Sequence, residues 1–180
     1  MTPSGSVPPR LPLIDNPEDE LAREAFERLA SRRGILNLHR MMAHAPPLMN
    51  ASGDMAMAFR QDVMLPRSLA ELVVLRTARV ISSDYVFGRH LPLAREAGVT
   101  EQQIDAVSIG PDSAAFTPAQ QVALTFAENA ARGAPIEDAV FAALRRHYSP
   151  REIVELTMLI GFYVSTAIFI KALAVPDEKA

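Results

Sequence analysis

The stretch ELVVLRTARVISSDYVFGRH, residues 71–90, decides how the chain folds. It opens with the carboxylate of Glu71 and closes with the imidazole of His90, and most of what lies between is apolar. Ser82, Ser83 and Asp84 interrupt it. These residues are poor in a helix interior and good at caps, because their short polar side chains compete for backbone groups. They predict one helix from near Pro66 to about Ile81 and a second from Ser83 to Gly98. The break also bears on chemistry. On one straight helix Glu71 and His90 would lie about 29 Å apart, at roughly 1.5 Å per residue. A helical hairpin folds Glu71 back toward the second helix. On that helix Ser83, Val86 and His90 fall at i, i+3 and i+7 and share a face. Tyr85 lies near its edge, and Arg89 is one turn beyond Tyr85.

Outward from this hairpin the punctuation is helical almost throughout. NPEDELAREAFERLASRRG, residues 16–34, has Asn16 as an expected N-cap, Pro17 at the first helical position and Gly34 as the stop. A short helix in LNLHRMMAHA is expected to break at Pro46 and Pro47, with another over 48–60. TEQQ (100–103), TPAQ (117–120) and SPRE (149–152) are capping boxes, each opening a helix. The amphipathic segment IEDAVFAALRRHY lies between the last two boxes. No stretch alternates apolar and polar residues in the manner of a strand, so the expectation is all-α. Residues 1–15 are expected to be an extended or loose segment, and 16–176 one helical domain.

With 180 residues, 49% of them apolar, the chain can bury a sizeable core. A net charge of −3 offers no footprint for nucleic acid. The chain has no cysteine, which removes disulfides, thiolate metal sites and thiol catalysis, and fits a cytoplasmic setting. The N-terminus lacks the apolar core of a signal peptide. LTMLIGFYVSTAIFI, residues 156–170, is shorter than the roughly 20 residues of a membrane span, so it reads as a core or interface helix. His39 and His44 are five apart, which misses the i, i+4 spacing of a zinc helix; no metal site is expected.

A carboxylate facing an imidazole in apolar surroundings is a proton-transfer pair. Tyr85 could donate to a carbonyl or enolate oxygen. Ser83, at a helix start, could join backbone N–H groups in holding an anionic group. The plainer alternative is a solvated glutamate and a histidine that merely suits the negative end of a helix.

The segment LPRSLAELVVLRTARVISSDYVFGRHLPLAREAGVTEQQIDAV, residues 65–107, resembles the core of the carboxymuconolactone decarboxylase family, which includes alkylhydroperoxidase D-like proteins. GILNLHRMMAHAP and EIVELTMLIGFYVSTAIFIKALAVP resemble its flanks, so the likeness covers residues 30–176. It implies an alkylhydroperoxidase D-like bundle of about eight helices and a homo-oligomer: a dimer, trimer or hexamer. The peroxidase branch places a Glu, a Cys-x-x-Cys pair and a His where this chain has Glu71, Ser83, Val86 and His90. The acid and base are retained and both sulfurs are missing. The decarboxylase branch implies cofactor-free chemistry on a small lactone or carbonyl compound. Its Tyr-Glu-Trp is Tyr85-Val86-Phe87 here, and its Asn after GFY is Val164, which makes the surroundings more apolar. The expected roles are therefore Glu71, His90 and Tyr85 in catalysis and Ser83 and Arg89 in binding a small-molecule substrate, with no cofactor, nucleic acid or membrane. The alternative is a non-catalytic oligomeric scaffold or binding protein that retains the fold.

Overall fold

In a computed structural model, residues 7–31 and 34–178 are described. Among them lie nine helices and no strand. In chain order they are α1 (Glu20–Ala30), α2 (Asn37–Met42), α3 (Pro46–Gln61), α4 (Arg67–Val80), α5 (Asp84–Glu96), α6 (Glu101–Ile109), α7 (Pro118–Ala131), α8 (Asp138–His147) and α9 (Pro150–Leu173). The chain forms two compact units, Met1–Gln61 with Phe169–Ala180, and Asp62–Ile168.

The second unit is organised around α4. Every residue from Leu69 to Ala78 is buried, so this helix has no solvent face, and α5, α6 and α7 pack around it. A helix enclosed on all sides must neutralise whatever charge it carries. Arg76 does so by donating to the Val107 carbonyl at the end of α6, at 3.0 Å, and by pairing with Glu128 on α7. Arg132 holds the other Glu128 oxygen at 2.7 Å. Hydrogen bonding to Arg76, above all, pulls the Glu128 carboxyl below its ordinary range.

The break after α4 is a Schellman turn. Ser83 N–H donates to Ala78 O at 2.8 Å, and Ser82 N–H to Arg79 O at 3.1 Å. Ser82 takes the left-handed conformation, φ 53°, where glycine is usual. The end of α5 uses the same pattern with the expected glycine: Val99 N–H reaches Ala94 O, and Gly98 has φ 85°. Pro92 lies inside α5 and removes one helical donor; the residue four back is the exposed Gly88, whose carbonyl can turn to water.

The three capping boxes form as the sequence predicts. Thr100 and Gln103 exchange backbone-to-side-chain bonds at 3.2 Å each, Thr117 and Gln120 at 3.0 and 3.3 Å, and Ser149 and Glu152 at 2.8 and 3.3 Å. Tyr148, after α8, donates its hydroxyl to Ala119 O at 2.9 Å, and burial raises its pKa to about 12.

α9 extends the oily run at both ends. By length and composition it is the one helix among the described residues that could cross a membrane. Along one side Ile153, Leu156, Leu159 and Ile160 are buried. Glu155 of the same helix accepts the backbone N–H groups of Met64 at 2.9 Å and Leu65 at 3.3 Å, just before α4. The other side leaves Val154, Met158 and Ile168 exposed.

In the first unit, Ala22, Ala25 and Phe26 of α1 pack with Ala43 and Met49. The cap of α1 is not the expected Asn16. The helix begins one turn later, and the Asp19 carboxylate accepts the Ala22 N–H at 3.1 Å. A carboxylate suits the positive end of a helix, and this start leaves Pro17 outside. α3 likewise begins at Pro46 and not at 48, since prolines in a first turn forfeit no needed donor. Residues 7–19 carry no helix but are pinned: Arg10 donates to Leu173 O at 3.0 Å and Ala172 O at 2.9 Å, and Ile14 to Arg40 O at 3.3 Å. Both candidate zinc imidazoles face the backbone. His39 Nδ1 accepts the Leu36 N–H at 3.0 Å, and His44 Nε2 lies 2.8 Å from Pro12 O.

Glu128→Gln should destabilise the protein by about 2 kcal/mol at pH 7, the scale of a hydrogen-bonded charge pair, in urea titrations. Because the folded carboxyl titrates below its unfolded range, its contribution is present at neutral pH and lost as pH falls through the depressed value. The gap between wild type and variant should therefore narrow on acidification.

Candidate functional site

Glu71 sits near the start of α4 with 1% of its surface exposed. Its Oε2 lies 2.7 Å from Nδ1 of His90, which is itself buried on α5. A carboxylate can only accept, so in this bond Nδ1 is the donor, and Nε2 is the ring nitrogen that Glu71 does not engage. The Schellman turn is what brings together two residues 19 apart in sequence. Arg67, one turn earlier on α4, pairs with Oε1 of the same carboxylate. Its side chain is 36% exposed, so the chain Arg67–Glu71–His90 runs from the protein surface inward. Tyr163 of α9 meets the His90 ring edge-on, with centroids 4.7 Å apart and planes at 85°. Phe162 stands in the same way against Tyr163, at 5.2 Å.

The structure distributes the other sequence candidates differently. Tyr85 is buried on α5, beside the likewise buried Val86 and Phe87. Ser83 is the N-cap of α5, yet its side chain caps nothing. Its Oγ is enclosed and has no hydrogen-bond partner. Arg89 is exposed on α5. Arg79, also from α4, lies over the Phe87 ring at 3.4 Å and reaches Asp84 at 3.2 Å, bracing the start of α5.

Two residues that sequence reasoning missed stand at the pair itself. Arg67 had a readable signal, because an arginine four residues before a glutamate on one helix shares its face. Tyr163 had only a weak one, a polar-tipped aromatic in an oily run. The resulting set can move a proton. Glu71 orients the His90 ring through Nδ1, and Tyr163 packs against that ring.

Residues 46–129 match the carboxymuconolactone decarboxylase family model, a span that contains Arg67, Glu71 and His90. No curated protein matches its sequence. Several solved structures share its fold. An uncharacterized peroxidase-related protein from Silicibacter sp. TM1040 is 21% identical over 99% of this chain and 96% of its own, with a TM-score of 0.83. The debrominase Bmp8, as a single-residue variant in complex with 2,3,4-tribromopyrrole, is 18% identical over 97% and 94%, TM-score 0.81. An alkylhydroperoxidase AhpD core protein from Ralstonia eutropha JMP134 is 19% identical over 94% of each chain, TM-score 0.78. The all-helical alkylhydroperoxidase D-like fold is thus that of this chain. Ser83 and Val86 stand at the positions where the sequence resemblance would put a cysteine pair, and with no cysteine anywhere these 180 residues supply no thiolate.

An enclosed hydroxyl without a partner costs roughly 1–3 kcal/mol. Ser83→Ala should therefore leave stability unchanged or raise it by about 1 kcal/mol in urea titrations. A loss of more than that would reveal a hydrogen bond that Ser83 makes in solution.

Proposed function

We propose that the protein is a cofactor-free enzyme that moves a proton on a small carbonyl or lactone compound. The observation that supports this best is the buried Glu71–His90 bond, which leaves the basic lone pair on Nε2. In isomerisation, Nε2 takes a proton from the carbon next to the carbonyl. The C–H electron pair moves into the carbonyl as an enolate, and the imidazolium returns the proton to another carbon. In decarboxylation, Nε2 first takes the substrate's carboxyl proton, carbon dioxide leaves, its C–C pair forms the enolate, and the imidazolium returns that proton to carbon. The mostly apolar surroundings favour charge that is born and quenched in place over charge brought in. Tyr85 and Ser83 would need to turn toward the substrate to assist, and Arg89 would act from the surface. A debrominase shares the fold, but a thiol route to such chemistry has no sulfur here.

Self-association is part of the same proposal, in a cytoplasmic protein that binds neither membrane nor nucleic acid. Val154, Met158 and Ile168 recur along one exposed side of α9 at helical spacing, and a second copy would cover them. A non-catalytic scaffold of the same fold is the second reading. The enclosed Ser83 hydroxyl favours it, since that group faces protein where a substrate contact was expected.

Deuterium exchange from solvent into small cyclic ketones and lactones tests the catalytic reading without a known substrate. His90→Gln should reduce exchange by about 10²–10⁴-fold while thermal stability holds. Equal exchange in that variant sinks the assignment, and absence of exchange in the wild type favours the scaffold. Met158→Glu should lower the assembly state in sedimentation.

A further inference from the structure

The buried carboxylate of Glu71 has two partners, and they are not equivalent. Arg67 brings a permanent positive charge to Oε1, while His90 brings an N–H to Oε2. The groups packed on the imidazole are Glu71 from α4, with Arg67 behind it, and Tyr163 from α9; Tyr85 lies five residues earlier on α5. A carboxylate with 1% exposure needs one full counter-charge. If Arg67 were absent, the nearest group able to provide it would be His90, by taking a second proton. The imidazolium so formed donates from both nitrogens and has no basic atom left.

We infer that Arg67 is a positioning residue: it supplies the counter-charge to Glu71 so that His90 stays neutral, with its lone pair on Nε2. This rests on the proton-transfer reading for its use, though not for its test. It also narrows the substrate class. Arg67, Glu71 and neutral His90 sum to zero charge at rest. Once Nε2 has taken a proton the protein side is +1, which matches the −1 born on the substrate oxygen. A Glu–His pair alone would run from −1 to 0 and offer the new anion nothing. The arrangement therefore suits an uncharged ketone, lactone or enol that becomes an anion on losing its proton. A substrate that arrives as a carboxylate gains no such match, so isomerisation fits better than decarboxylation.

The test is nitrogen NMR of the His90 ring in the full chain, labelled with ¹⁵N-histidine, at pH 7.5. The wild type should show one neutral tautomer, protonated at Nδ1 and unprotonated at Nε2. Arg67→Gln should show both nitrogens protonated, and Arg67→Lys should restore the wild-type pattern. A wild type protonated at Nε2, or an Arg67→Gln protein that keeps the neutral Nδ1–H ring, overturns the inference. Should Arg67→Gln fail to fold, the wild-type tautomer and the Arg67→Lys spectrum still decide it. For the substrate class, deuterium exchange is compared between 1,3-cyclohexanedione mono-enol ether and an analogue bearing a carboxylate. The uncharged compound should exchange at least tenfold faster, and the reverse order overturns that part. Exchange with neither compound overturns the substrate class and the proton-transfer reading together, and leaves the NMR result standing on its own.

Discussion

A buried carboxylate near the start of a helix that has no solvent face sets the terms for the rest of this structure. Glu71 cannot be hydrated where it sits, so its two oxygens must be answered by protein. Arg67 answers one and His90 the other. That requirement fixes where α5 must pass, because the imidazole has to arrive from outside α4. It also gives α9 its place in the second unit, through Tyr163 on the back of the imidazole and Glu155 on the backbone leading into α4. The same helix solves the same problem a second time lower down. Arg76 is answered by Glu128 and by the Val107 carbonyl in the last turn of α6. One charge of each sign, about a turn and a half apart, is thus turned to opposite neighbours. The first neutralisation builds a site and the second holds three helices together.

Much of this was legible in the sequence because it depends on local chemistry. The three capping boxes and the glycine stop at 98 act over three or four residues, and the helices begin and end where they say. The hairpin at Ser82–Asp84 was readable for the same reason. What misled was competition between neighbouring signals. Asn16 and Pro17 form a good start, but Asp19 forms another a turn later with a charge to offer the helix end. Pro46 and Pro47 read as a breaker and serve as a beginning.

The site was legible in its pair and obscure in its surroundings. Glu71 and His90 could be matched because the break makes their meeting possible. Tyr163 lies 73 positions beyond His90, on a helix whose path no local pattern specifies. Arg67 is within reach of simple spacing, since it stands four residues before Glu71 on one helix. Ser83 and Arg89 were chosen for what their side chains can do. Which way they point depends on how α5 is rotated, and that rotation is set by packing against α4.

The turn through Ile81, Ser82 and Ser83 also acts as a setting of phase. Each residue in a helix advances the direction of its side chain by about 100°. The two hydrogen bonds of the reversal fix where α5 begins counting. One residue added there would swing His90 about a quarter-turn or more off the line to Glu71, and one removed would swing it the other way, with every side chain in both helices unchanged. The length of this turn is therefore as much a part of the site as the imidazole, and a chain could tolerate many exchanges of residue type at 82 sooner than one change in number. Ser82, held in a conformation that glycine would take more easily, shows which of the two the fold defends.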